Sequence, residues 1–310
     1  MEKLSFESRY LNPLTDFGFH KLFGREDCKE LLIHFLNEII REEGLITDIQ
    51  HLPPEQWGDT ETNRKAIFDI FCTTEKGEYF VVEMQNAKQP YFRDRSLFYA
   101  SLPIHKQAPR GPWNFRLKTV YLVAVLDFIL FNEVEGDKNQ VIEHVHLVRE
   151  RTQTIYSKKL NFVFIELPKF RKTAEELATN TDKWLFSLKN LSKLKDRPAA
   201  VQGKIFEELF RMAERKQLTK EEMEEYKKSI LEYQDVRDAV DYAREEGFEE
   251  GIEKGREEGR EEGIEEGIEA EKIAIIHKCL QMDLPIENIV FLTEFSEEQI
   301  IRYSGNNVQY

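Results

Sequence analysis

Asp69 lies in the apolar stretch Ala66-Ile67-Phe68-Asp69-Ile70-Phe71-Cys72, and Glu83 and Gln85 lie in Tyr79-Phe80-Val81-Val82-Glu83-Met84-Gln85. Both stretches are rich in branched and aromatic residues, and the segment between them holds Gly77, so the pair reads as an antiparallel hairpin. Side chains alternate along a strand, which puts Glu83 and Gln85 on one face and Asp69 on the face of Ile67 and Phe71. With the turn centred on Lys76, Asp69 stands opposite Glu83. Opposed residues have Cβ atoms roughly 5 Å apart. Two like charges so close among apolar neighbours repel unless one takes a proton or a cation sits between them. Oxygen ligands of this kind suit a hard divalent ion, Mg²⁺ or Mn²⁺, rather than Zn²⁺. The plainer reading of the same pattern is two ordinary charges on the wet face of a hairpin.

The surrounding chain decides how far the chemical reading carries. At 310 residues and 41% hydrophobic content it can bury a sizeable core in one large domain or two modest ones. Cys28, Cys72 and Cys279 are odd in number and lack CxxC spacing, which argues against a disulfide framework and a zinc site and for a reduced, cytoplasmic chain. The first residues, Met1 to Glu7, hold no apolar signal core, and the longest apolar run, Val120 to Phe131, is interrupted by Asp127 and too short for a bilayer. No membrane partner is expected.

The net charge of −14 argues at first against a nucleic-acid partner. Its distribution reverses the inference. Residues 245–268 carry eleven Glu against Lys254, Arg256 and Arg260, a net of −8, which leaves −6 for all the rest. Between Asn86 and Lys118 seven basic residues (Lys88, Arg93, Arg95, Lys106, Arg110, Arg116 and Lys118) face Asp94 alone, a net of +6. Tyr91, Phe92, Phe98, Tyr99 and Trp113 lie among them. Such a patch next to an acidic pair suits a phosphodiester substrate, although a basic cluster is also what a solvated face looks like.

The elements that must position these residues follow from periodicity. Leu31, Leu32, Phe35, Leu36 and Ile39 form one stripe of a helix over 27–40, with Gly44 as its stop. A weak strand over 46–52 ends at Pro53-Pro54. After the hairpin come a helix over 93–107, which Pro103 is expected to bend, a strand over 119–126 apolar on both faces, and a strand over 161–167. Helical spacing returns from Thr173, over 202–217 and from Lys220 onward. A four-residue acidic repeat then places glycines at 247, 251, 255, 259, 263 and 267. On a helix these would form a slowly winding stripe, each glycine costing about 1 kcal/mol against Ala. The repeat is either a self-associating helix, making a homo-oligomer, or a flexible acidic tether. The boundaries expected are a site-bearing domain over 1–200, a helical connector over 201–244, the repeat over 245–270 and a small helical module over 271–310. His144 and His146 lie two apart on a candidate strand, a weak metal pair, and no P-loop, dinucleotide fingerprint or nucleophile elbow occurs.

Several motifs in order carry a resemblance: Asn12-Pro13-Leu14-Thr15-Asp16-Phe17-Gly18-Phe19-His20-Lys21-Leu22-Phe23-Gly24, then Asp69 with Val82-Glu83-Met84-Gln85, then Tyr91-Phe92-Arg93-Asp94-Arg95-Ser96-Leu97-Phe98-Tyr99, then Glu166-Leu167-Pro168-Lys169-Phe170. Together they resemble the PD-(D/E)XK nuclease superfamily, and within it the recombination-promoting nuclease (Rpn) group, the PD-(D/E)XK nuclease family transposases. The resemblance implies an α/β, restriction-endonuclease-like core, a mixed sheet flanked by helices, with a helical C-terminal extension. It also implies a metal-dependent DNA endonuclease tied to recombination or mobile elements, with Mg²⁺ as cofactor and Mn²⁺ as its substitute. Asp69 and Glu83 become metal ligands and Gln85 the residue that orients water. The superfamily usually has Lys at that last position, so a catalytically weak or inactive DNA-binding scaffold is the alternative. Arg95 and Tyr99, one helical turn apart, and Lys88 and Arg93 would meet DNA, while for Arg95 an ion pair near Asp94 or with Glu30 is the bland reading. Asp16 and Lys21 match the amino-terminal motif and would complete the site, against a helix cap and a surface charge as their plain roles.

Overall fold

The structure is a computed structural model that describes residues 8–40, 46–56, 66–109, 111–131 and 139–304; Gly44, Arg110 and Met1 to Glu7, which figured in the sequence reading, lie outside them. The described chain divides into two compact units, Met1–Val240 and Asp241–Tyr310.

In the first unit the elements run α1 (Asp16–Phe23), α2 (Lys29–Ile39), β1 (Ile49–His51), β2 (Glu55–Gln56), β3 (Ala66–Ile67), β4 (Ile70–Thr74), β5 (Tyr79–Gln85), α3 (Phe92–Lys106), β6 (Val120–Leu126), β7 (Ile142–Val148), β8 (Ile155–Glu166), α4 (Asn180–Asn190), α5 (Lys204–Ala213) and the start of α6 (Lys220–Gln281). Six strands form a mixed sheet in the order β1-β4-β5-β6-β8-β7. The β5–β6 and β6–β8 pairs are parallel, and the others are antiparallel. A parallel neighbour needs a crossover, and α3 supplies the one between β5 and β6.

Strand alternation sorts the core into two layers. Phe80, Val82 and Met84 of β5, with Tyr121, Val123 and Val125 of β6, pack on one face against α1, α2, α4 and α5, where Trp184 lies against Phe23, Phe35 and Phe206. Val81, Leu122, Ala124 and Leu126 take the other face with Phe92 and Ala100 of α3. Every residue of β6 is buried, as its continuous apolar run predicts. Pro103 sits inside α3 without ending it, within the last turn and on the helix's buried face.

Two elements differ from their sequence reading. The strand over 66–72 is broken: Ala66–Ile67 pairs with Glu55–Gln56 in a separate two-stranded ribbon, and the sheet strand begins only at Ile70. Ile67 is consequently exposed while Phe71 is buried, so the two do not share a face. The strand over 161–167 begins six residues earlier, at Ile155, because β7 pairs beside it. Its polar half, Ser157 to Lys159, hides it from an apolar-run reading. The acidic repeat, for which the sequence allows a helix or a tether, is helical as part of α6.

At the carboxyl end of β8, Glu166 is fully buried and accepts from the backbone N–H of Leu130 at 2.5 Å and of Phe131 at 2.9 Å, with Lys169 Nζ 2.6 Å from its other oxygen. Burying two charges is offset here by their mutual pairing and by the two backbone donors to one carboxylate oxygen.

In the second unit, the later part of α6 packs with α7 (Ile286–Thr293) and α8 (Glu297–Tyr303) around Ile276, Cys279, Ile289 and Ile300. A Cβ added at any of the six repeat glycines would meet nothing within 4 Å.

Two outcomes follow. Glu166→Ala removes the acceptor of two backbone donors and the carboxylate beside a buried ammonium, and should cost about 3 kcal/mol in urea unfolding followed by tryptophan fluorescence; a loss under about 1 kcal/mol would contradict that account. Gly251, Gly255, Gly259 and Gly263 replaced together by Ala should raise helicity, each contributing up to about 1 kcal/mol to this stretch. Circular dichroism with thermal melting reads it, and a fall in helicity would show that the bare stripe is used by another chain.

Candidate active site

The break before β4 builds the site. The β4–β5 ladder ends at Ile70 opposite Val82, and continuing that register sets Asp69 opposite Glu83. There side chains take over from the ladder: the Met84 N–H donates to Asp69 Oδ2 at 2.6 Å, and the Asp69 N–H donates to Glu83 Oε1 at 3.3 Å. Each acid is thus held by the other's strand.

Glu83 is 4% exposed. Burial, and then the neighbouring Asp69 charge, push its carboxyl well above the usual range, and the Gln85 side chain hydrogen-bonds to it. Burial also raises Asp69, to about 6, against the pull of its Met84 hydrogen bond. The two form one titrating pair. Arg95 is close enough for its charge to lower both.

Asp69 and Gln85 face a cleft of about 270 Å³. Its second wall comes from α1: Thr15 caps that helix by accepting from the Gly18 N–H at 3.1 Å and donates to the Asn12 carbonyl at 2.9 Å. Gly18 is required, since a Cβ there would stand 2.0 Å from the Asn12 oxygen. The tight turn puts Asp16, the first helical residue, on the cleft. Its carboxyl is raised by loss of solvent around it and then by the Glu232 charge. The third wall is the first part of α6, with Ser229, Glu232, Tyr233 and Val236. It is fastened to α1 and the turn before it: Tyr226 accepts from the Asn12 N–H at 2.8 Å, Ser229 from the Phe17 N–H at 3.1 Å, and Glu222 pairs with Lys21 and Arg25, each at 2.8 Å. At the carboxyl end of β6, Asp127 accepts from Tyr233 at 2.9 Å and Arg237 at 2.8 Å.

Of the residues the sequence nominated, Asp16, Asp69, Gln85 and Arg95 line this cleft, and Glu83 lies behind Asp69. The structure does not bring Lys21 there; it is occupied by Glu222. Arg93 points to the loop after β6, donating to the Leu130 carbonyl at 3.3 Å and lying over the Phe131 ring. Lys88 is exposed beyond the strand. Tyr99 stands beside the site, its ring 5.2 Å from that of Phe68 and under the Arg95 guanidinium. His146 Nδ1 hydrogen-bonds Asn161 Oδ1 at 2.9 Å. Sequence reasoning missed the α6 wall. The spacing of Tyr226, Ile230, Tyr233 and Arg237 signals one helical face, but nothing in it says which strand end that face meets.

A larger, open hollow of about 450 Å³ near Arg9 and Arg211 has its cations paired with Asp196, Glu208 and Glu214 and offers no comparable chemistry.

Among the described residues no group of three or more His, Cys, Asp or Glu is arranged to hold a metal. The donors present are two carboxylates whose charged forms are disfavoured as they stand, which is the chemistry a hard divalent ion relieves. They fit such an ion, with water or backbone oxygen completing its ligands.

An acidic residue before a short strand, an acid and an amide two apart on the next, and a mixed sheet with helices on both faces define an α/β nuclease of the PD-(D/E)XK type. Residues 13–243 match the family model of the PD-(D/E)XK nuclease family transposases, and the chain belongs to that family. Members of that superfamily generally use divalent metal ions. Searches of curated proteins and of solved structures gave no significant match. Among the described residues no helix is long and apolar enough to cross a membrane.

The raised Asp69 has a measurable cost without metal. An acid whose folded pKa of about 6 exceeds its unfolded value near 3.8 loses stability as pH rises through that interval, because folding then opposes ionisation. Asp69→Asn keeps an acceptor for Met84 and has no charge. In EDTA at pH 7.5 it should melt higher than the natural protein, by the equivalent of roughly 1–3 kcal/mol, with the gap closing near pH 4. A variant that melts lower at pH 7.5 would contradict the charge conflict.

Proposed function

We propose that this protein is a divalent-metal-dependent DNA endonuclease, using Mg²⁺ or Mn²⁺, that hydrolyses phosphodiester bonds in the service of recombination or mobile elements. The observation that carries the reading is the opposed, desolvated Asp69 and Glu83 at a strand end beside a cleft. These two residues hold the ion, which when bound neutralises charge on the phosphate and makes a water a better nucleophile. Gln85, on the same strand face as Glu83, orients water through its amide; being neutral, it supplies no charge. Asp16 and Glu232 bring further negative charge to the cleft, favouring cation entry. Lys88, exposed beyond the strand, contributes to backbone contact outside the cleft. Self-association through the helical repeat is a separate expectation, read by the mass of the intact chain in solution.

Supercoiled plasmid incubated with the protein and Mg²⁺, Mn²⁺ or EDTA tests the assignment. Nicking should require the ion, and Asp69→Ala and Glu83→Ala should each lower the rate at least about 100-fold with an unchanged far-ultraviolet spectrum. Nicking unaffected by both substitutions would sink it. Tight DNA binding indifferent to metal, with no cleavage under any divalent ion, would establish the scaffold alternative that Gln85 allows.

A further inference from the structure

The nuclease reading leaves a charge unaccounted for. Asp69, Asp16 and Glu232 face the cleft, Glu83 lies behind Asp69, and an attacked phosphodiester adds further negative charge as its bonds rearrange. Gln85, on the strand that carries Glu83, is neutral. Among the described residues lining the cleft, Arg95 alone is cationic.

Arg95 is also unusually well held. Its guanidinium lies 5.3 Å from the Phe92 ring centroid and 5.5 Å from that of Tyr99, one turn to either side on α3, and Nη1 donates to Gln89 Oε1. Phe92 is buried in the core, and Tyr99 packs on Phe68, immediately before Asp69. No carboxylate among the described residues forms an ion pair with it. A guanidinium clamped between two rings loses little freedom when it meets a ligand, and its planar fork matches two phosphate oxygens.

The geometry points to Arg95 as the catalytic cation of this site, contacting the scissile phosphate and stabilising the charge that develops there, in place of a lysine at position 85. This rests on the nuclease reading above. In the step, a water oxygen bonds to phosphorus while one phosphorus–oxygen ester bond breaks; water's proton passes to solvent and the departing sugar oxygen gains one from solvent. Arg95 stays protonated throughout. A contact that strengthens as charge develops acts on kcat, whereas a contact to a distant phosphate acts on affinity.

Cleavage of an end-labelled duplex under saturating protein with Mg²⁺, and the dissociation constant for the same duplex with Ca²⁺, separate these roles. Arg95→Ala should lower the single-turnover rate at least about 100-fold and change the dissociation constant less than about threefold. Arg95→Lys should fall between, having a charge without the fork. The double variant Gln85→Lys with Arg95→Ala should recover at least about tenfold over Arg95→Ala, since the strand position can supply the charge. Thermal melting confirms that each variant is folded. A rate within threefold of the natural protein, a loss confined to binding, or a folded double variant no faster than Arg95→Ala overturns the assignment. Natural protein that cuts nothing with any divalent ion sinks the parent reading as well, whereas natural protein that cuts no faster than Arg95→Ala sinks this one alone.

Discussion

The site depends on two carboxylates that are kept where neither wants to be charged. A strand pair ordinarily closes with backbone hydrogen bonds, but at Asp69 and Met84 the ladder stops and a side chain serves the freed N–H. That substitution turns the end of a hairpin into a socket. The acids cannot swing away to solvent without giving up backbone partners, so their mutual repulsion persists in the folded chain. In the proposed function a cation resolves it, and its binding energy draws in part on repulsion already present.

The remaining architecture makes the socket stiff. The turn before α1 serves two ends at once: Thr15, Asn12 and Gly18 lock the helix start, and Asn12 and Phe17 also offer backbone N–H groups to Tyr226 and Ser229 of α6. Glu222 is drawn to about 2 by hydrogen bonds from Lys21 and then Arg25, so the same helix is tied down at its first turn. Lys21 therefore positions the wall of the cleft rather than its contents. The amino-terminal motif and a helix some 200 residues later are one structural device, which accounts for a family match that runs to residue 243 and does not stop at the sheet.

Much of this was legible in the sequence, and the parts that were not share a cause. The register of Asp69 against Glu83 followed from turn centring and alternation alone, both local properties of a hairpin. The helices at Leu31 to Ile39 and Phe92 to Lys106 followed from period, and the buried β6 from an unbroken apolar run. The break at Phe68 was invisible because its reason is pairing with Glu55–Gln56, a partner chosen across a long connection. β7 showed only as a candidate strand at His144 and His146, because Glu143, His144 and His146 are polar at an edge with one wet face. The α6 wall was unreadable for the same reason. Its amphipathic spacing declares that it packs but carries no address, since tertiary contacts are set by sequence positions that periodicity does not link.

Charge shows the same division between local and assembled information. A total of −14 discourages a polyanion partner, yet eleven Glu within 24 residues of one helix account for most of it. Within the basic stretch, sequence counts Lys88, Arg93 and Arg95 alike, whereas the fold treats them differently. Lys88 is left in solvent, Arg93 is spent on the Leu130 carbonyl and Phe131 ring, and Arg95 is braced by Phe92, Tyr99 and Gln89 at the mouth of the acidic pair. Net charge attracts a ligand from a distance, whereas in the proposed reaction the stabilising charge comes from Arg95, the one cation among the described residues lining the cleft.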